Sequence, residues 1–330
     1  MSYLHLFPVL SELTPESFDF DYAARVPVSS IISIVIGLIL AVAVPILLFV
    51  YVKHRFRLEP AVALYSLLAY MLGGYLIPNL VIMLCEYIDT KNGMFSSNPI
   101  LYYALISIFS ATILLLSIWF SIRLLKRRCS LTLGSSILFT LCLIIVPLCT
   151  QTISILGSYL SAGTSINQGN LPDIISNMIE QGSTRDEIQT LLDAVDSLCT
   201  TGFWYYLIVA IDSLLQIPIQ LPVCAILAGK QEGKVPSSHV KLIFAVEGLY
   251  AIAMILRRAA MNESVVIAEL PLVAAAVISV LIAWKVAKQY LTDDLKKLLG
   301  KPNPSVNKKD DGKGNGNGGH KMPKIVMPKD

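Results

Sequence analysis

The chain has 330 residues, 55% of them apolar, a mean hydropathy of +0.65 and a formal net charge of +3. That apolar content excludes an ordinary soluble domain, and without a basic stripe or recognition motif the small net charge excludes a nucleic-acid binder. What remains is an all-α polytopic transmembrane helix bundle of about seven spans, since stretches of some 20 apolar residues cross a bilayer as helices.

In chain order, residues 1–27 form a short external N-terminal segment. The first 24 residues hold no Lys or Arg and carry Glu12, Glu16, Asp19 and Asp21, so no cleaved signal peptide is expected. Residues 28–160 hold the first four spans, in apolar windows at 28–52, 60–85, 99–122 and 131–160. Pro45 is a kink point in the first. In the second, Gly73 and Gly74 allow a neighbouring backbone to come close, and Glu86 reads as an acid at the interface. The third carries only hydroxyls, Ser107, Ser110, Thr112 and Ser117, before Arg123. The fourth opens on Gly134-Ser135-Ser136 and has a polar interval, Thr150-Gln151-Thr152, after Pro147, placed to meet the fifth span.

Residues 161–202 are too long for a simple loop and carry two amphipathic stripes. Leu171, Ile174, Ile175, Met178 and Ile179 make the first; Ile188, Leu191, Leu192, Val195 and Leu198 make the second. Gly182 divides them, and Thr184 with Glu187 gives the capping box that starts the second helix. Six acids and one Arg put the other face in water. The expectation is an external helical hairpin between spans 4 and 5, resting on the bundle as a cap or lid.

Residues 203–289 supply the last three spans, at 203–229, 239–260 and 265–287. Residues 290–330 form a basic cytoplasmic tail: an amphipathic piece from Leu291 to Leu299, then a Gly-rich stretch that cannot bury a core and is expected to be disordered against anionic lipid. Lys and Arg divide twenty-one to five in favour of the 1–2, 3–4 and 5–6 loops plus this tail. The expected location is therefore the cell membrane, N-terminus outside and C-terminus in the cytoplasm.

The fifth span carries the most informative residues. Asp212, Gln216 and Gln220 recur every four residues on one helical face, and Pro218 and Pro222 interrupt the hydrogen-bond ladder among them. An acid at that depth costs about 2.5–3.5 kcal/mol and usually faces a bundle interior or a wet cavity. Counting outward from the loop at 230–238 with a rise of about 1.5 Å per residue sets Gln220 level with Glu247 and Asp212 level with Arg257. Two bridges between helices five and six are expected, Asp212 to Arg257 and Glu247 to Gln220. Asp212, Gln216, Gln220, Glu247 and Arg257 form the candidate intramembrane polar site, serving either as a fastening between helices or as a ligand site.

Catalysis finds little support in the residues. The four histidines, His5, His54, His239 and His320, lie in termini, loops or at helix starts, so no His-based zinc site is expected at mid-membrane. Asp212 and Glu247 are about 15 Å apart along the bundle axis, too far for a paired-carboxylate site. No cofactor is expected. The six cysteines are scattered, with Cys85 and Cys199 near the external face as the one pair whose disulfide stays open.

The chain resembles the YhfC-like family of intramembrane metallopeptidases, related to the CAAX-protease type. The similarity rests on the basic loop after helix 1, Asn98-Pro99-x-Leu101-Tyr102 at the start of helix 3, Leu124-Leu125-Lys126-Arg127 at its end and the Gly134 region. It extends through Ile166-Asn167-Gln168-Gly169-Asn170 to Ile208-Val-Ala-Ile-Asp212, over most of residues 28–289. The resemblance implies a Glu-Glu-x-x-Arg motif on helix 3, where Ile113 to Trp119 are apolar apart from Ser117. It implies Gly-His-Gly and Glu at Gly134-Ser135-Ser136, which carry neither. On helix 5 Asp212-Ser213 stands for Glu-Arg and Gln216 or Gln220 for a His, and on helix 6 Glu247 stands for another His. These departures imply a non-catalytic binding or scaffold protein, with the lipid bilayer and an unknown protein or small-molecule ligand as partners. Two alternatives remain: a divergent active peptidase holding metal at Asp212, Gln220 and Glu247, and a small-solute transporter using the polar path of helix 5.

Overall fold

The computed structural model describes residues 14–92, 99–260 and 265–300, and among these every regular element is helical. The first span is α1 (Val28–Arg55). The second is built from α2 (Pro60–Ala69), a π-helical stretch (Tyr70–Leu76) and α3 (Ile77–Asn92). The third is α4 (Pro99–Leu125), and the fourth joins α5 (Leu133–Pro147), a second π-helical stretch (Leu148–Ile153) and α6 (Ser154–Asn167). The hairpin is α7 (Leu171–Glu180) and α8 (Arg185–Thr200). The last spans are α9 (Phe203–Gln231), α10 (Val240–Ala260) and α11 (Val265–Tyr290), followed by α12 (Thr292–Leu299).

Seven of these stretches are long and apolar enough to cross a membrane. Their outward faces agree: Leu64, Leu80, Met83, Phe244 and Leu281 are each more than 60% exposed, an apolar belt that lipid rather than water would cover. The three tryptophans mark its rims. Trp204 sits at the start of α9, and Trp119 and Trp284 lie about 9 Å from the far ends of α4 and α11, the depth where indole rings meet headgroups.

α9 is the central post, packed against α1, α5, α10 and α11. Every residue from Pro222 to Gly229 is buried. Pro218 and Pro222 lie inside one continuous helix, with neighbours packed around this half. The breaks fall elsewhere. A Cβ on Gly73 would come 2.9 Å from Leu114 Cα, so the π-helical turn of the second span lets α4 approach to backbone contact. The second π-helical turn begins after Pro147, whose missing N–H frees a carbonyl one turn earlier.

The hairpin sits on the end of the bundle shared by α1, α6 and α9. Leu171, Ile175, Ile188, Leu192, Val195 and Leu198 are buried together with Phe18, Val26, Ile34 and Tyr206. Ile174, counted in the first stripe, is 37% exposed, so that stripe is narrower than expected. The turn is made as its residues require. Gly182, at φ +82°, closes α7 with Ser183 N–H bonded to the Met178 carbonyl, and the Thr184–Glu187 capping box opens α8. Asn167 clasps the chain before α1, accepting from Val26 N–H at 2.8 Å and donating to the Val26 carbonyl at 3.1 Å. This clasp carries the fourth-span helix to Asn167, seven residues beyond its apolar window. α3 likewise runs on to Asn92, past residue 85.

At the opposite, basic end, two acids hold the start of α5. Glu232 Oε1 accepts from Leu131 N–H at 2.7 Å and pairs with Lys126 at 2.6 Å; Asp294 Oδ2 accepts from Leu133 N–H at 3.1 Å. Burial pushes the Glu232 carboxyl upward, but the Leu131 N–H and the Lys126 ammonium outweigh it and hold the group below its ordinary value. Asp294 is supplied by α12, whose Leu295 packs with Leu133, Ala225 and Leu291. Residues 292–299 are therefore a docked helix and not part of a disordered tail, because their apolar face finds a groove under the bundle. The expected basic tail at 301–330, with His320, lies outside the described residues, as does His5.

Candidate functional site

Arg257, near the end of α10, reaches two carboxylates at once. Its Nη2 lies 2.8 Å from Asp212 Oδ2 on α9, as the depth count expects, and its Nε donates to Glu269 Oε1 on α11 at 2.5 Å. Glu269 lies outside the expected set. Arg257 stands three residues before the end of α10 and Glu269 four after the start of α11, so the same count across that loop would have paired them. One guanidinium thus joins three helices. The side chains are 12%, 20% and 8% exposed for Arg257, Asp212 and Glu269, and Glu269 Oε2 is left without a hydrogen-bond partner.

One turn further along α9, Gln216 and Gln220 face a cavity of about 300 Å³. It is walled by all but the first and last spans. Tyr70, Gly73 and Gly74 come from the first π-helical stretch, Gln151 from the second, Ser107 and Ser110 from α4, and Tyr250 from α10. The two wide turns bracket it, which places backbone irregularity where it lines a cavity and not where it faces lipid. Gln151 belongs to the polar interval expected to meet the fifth span, and it does: the neighbouring Thr152 hydroxyl is hydrogen-bonded to Ser213 on α9. Among the described residues none of the lining side chains is charged.

The second expected pair, Gln220 with Glu247, is brought side by side, close enough for the Gln220 side chain to interact with the carboxylate, but no hydrogen bond of normal length closes it. Gln220 lies beside Glu247, level with it, yet neither carboxylate oxygen of Glu247 nor Gln220 Oε1 has a hydrogen-bond partner within normal geometry. Glu247 and Gln220 are only 5% and 3% exposed. The Gln220 amide has a donor to offer the carboxylate, but it stands beyond normal hydrogen-bond length, and Cys224 on α9 and Tyr250 on α10, which lie nearby, leave the acceptors unfilled. The site therefore splits into two parts. Asp212 and Arg257, with Glu269, form a closed ion-pair group toward the hairpin. Gln216 and Gln220 line the cavity, and behind Gln220, nearer the basic end, lies Glu247, the last two with buried acceptors lacking normal hydrogen bonds. Tyr250 lies between them, within the field of Asp212, Glu247 and Arg257.

No family model, curated protein or solved structure matches this chain. Among the described residues no three His, Cys, Asp or Glu side chains converge closely enough to hold a metal ion. His239 is turned to Tyr290, its Nε2 3.2 Å from the phenol oxygen. Cys85 and Cys199 are both free thiols.

Proposed function

We propose that this is a non-catalytic membrane binding protein whose cavity takes a small, uncharged, hydrogen-bond-donating molecule, in a fold of the YhfC-like type. The carrying observation is the cavity of about 300 Å³ lined, among the described residues, by three glutamines and no charged side chain, with the buried Gln220 Oε1 unpartnered at its edge. A buried acceptor without a donor costs about 1–3 kcal/mol. A ligand N–H or O–H would recover that energy, so the chemistry of the ligand follows from what the wall lacks.

Peptidase action is less well supported. Asp212 is engaged by Arg257, and Glu247 lies about 15 Å further along the bundle axis, so the two cannot share a water or a metal with Gln220. The basic loops support an orientation with the hairpin outside and α12 in the cytoplasm. The cavity would then lie in the middle and outer part of the membrane, beneath the hairpin.

The test is thermal unfolding of the full chain in lipid nanodiscs with a panel of uncharged donors: simple amides, glycosides, nucleosides and N-acetyl amino-acid amides. A ligand at a hundred times its Kd adds about 2.7 kcal/mol, a shift of several degrees. One chemical class should raise Tm in the wild type and fail to do so in Gln220→Leu. Failure of all four classes, or a shift that survives in both Gln216→Leu and Gln220→Leu, would overturn the reading.

A further inference from the structure

At the basic end a second cavity, of about 380 Å³, opens between the start of α10 and the last turns of α11. Its rim is polar, with His239 and Lys241 on one side and Lys285 and Gln289 on the other; its floor is apolar, with Ile282 and Val286. Val286 is 2% exposed, while both lysines are exposed. Leu242 and Ile282 lie deeper along their helices than Lys241 and Lys285, so the lining passes from charged to apolar with depth, the order in which a phospholipid presents head and chain.

The charges are placed to receive an anion. Lys126 and Lys234, on the same end of the molecule, pair with Glu232 and Asp294. Lys241 and Lys285 have no acidic partner among the described residues. His239 is held by its contact with Tyr290, the rings edge-on with centroids 4.8 Å apart, so one wall of the groove is fixed in advance. Depth agrees as well. Trp284, half exposed and next to Lys285, marks the headgroup level, where a lysine with its stem on apolar surface delivers its ammonium to lipid phosphate.

We propose that this groove is a binding site for one anionic phospholipid, its phosphate and headgroup between Lys241 and Lys285 and an acyl chain running inward along Leu242 and Ile282. Basic pockets between helices at this boundary suit acidic headgroups, and the apolar floor distinguishes a lipid from a free phosphate, which would engage only the rim.

The experiment is native mass spectrometry of the full chain, purified with an equimolar mixture of phosphatidylglycerol and phosphatidylcholine. One phosphatidylglycerol should be retained per chain in preference to phosphatidylcholine. Retention should fall roughly thirtyfold in the exposed double variant Lys241→Gln/Lys285→Gln, from an electrostatic gain of about 1 kcal/mol per lysine near an anionic surface. It should also fall in Ile282→Trp, which fills the floor without changing charge. The control Arg127→Gln/Arg128→Gln removes the same charge elsewhere on that end and should leave retention unchanged. Equal retention of phosphatidylcholine, an equal loss in the arginine control, full retention in Ile282→Trp, or displacement by millimolar inorganic phosphate would each overturn the proposal.

Discussion

Arg257 sits between two carboxylates on different helices, and its side chain is only 12% exposed. Taking either acid away leaves a guanidinium with one partner; taking Arg257 away leaves two buried acids with none. Breaking such a group by truncation costs about 3–5 kcal/mol. Arg257→Ala is therefore expected to lower the stability of the nanodisc-embedded protein by that amount in thermal unfolding. Arg257→Lys should recover only part, because a single ammonium cannot address Asp212 and Glu269 with two separate donors. If Arg257→Ala melts with the wild type, the group is a passive contact. Asp212 and Arg257 were legible in the sequence because both follow from counting residues across one short loop. The Glu247–Gln220 pair shows where that counting stops. It sets depth along the axis and brings the two side by side, but rotamer geometry decides how closely donor meets acceptor, and here the approach stops short of a normal hydrogen bond.

Among the elements, the hairpin was the most readable, because its stripes, its glycine and its capping box all lie within a few residues of one another. α12 was legible as an amphipathic piece but not as a docked helix. Its Asp294 reaches the start of α5, more than a hundred residues away in the chain, and no local pattern announces such a contact. Glu232 does the same from the α9–α10 loop, and its titration gives a test. Its folded value is depressed below the ordinary 4.5, so the ionised form is the one folding favours. The stabilisation is fully present above about pH 4.5 and disappears as pH falls through the lower, folded value. Glu232→Gln should cost about 1.5 kcal/mol at pH 7. The gap between wild type and variant in thermal unfolding should hold down to about pH 4.5 and close below it. A gap that closes between pH 7 and pH 5 would assign the effect to another group. The π-helical turns were not legible at all. Gly73, Gly74 and Pro147 permit a wide turn, but nothing local requires one; at Gly73 the turn accompanies a close approach of α4 that only the packed bundle shows.

For the whole molecule, seven spans put the two ends of the described chain on opposite faces of the bundle. With the native cysteines replaced, which is open since all six are free thiols, Ser183→Cys in the hairpin turn should react with a membrane-impermeant maleimide in intact cells. Arg128→Cys should react only after permeabilisation. The reverse pattern would invert the orientation and place the basic face, with its lipid groove, outside.

The number of spans, their order, the charge asymmetry and the amphipathic cap came from sequence alone, because lipid imposes one rule on every spanning residue and that rule is additive along the chain. The cavity, the three-helix ion pair and the lipid groove were decided only in three dimensions. Each is made of side chains from separate spans, and their meeting depends on how the helices are rotated about their axes, which hydropathy does not encode.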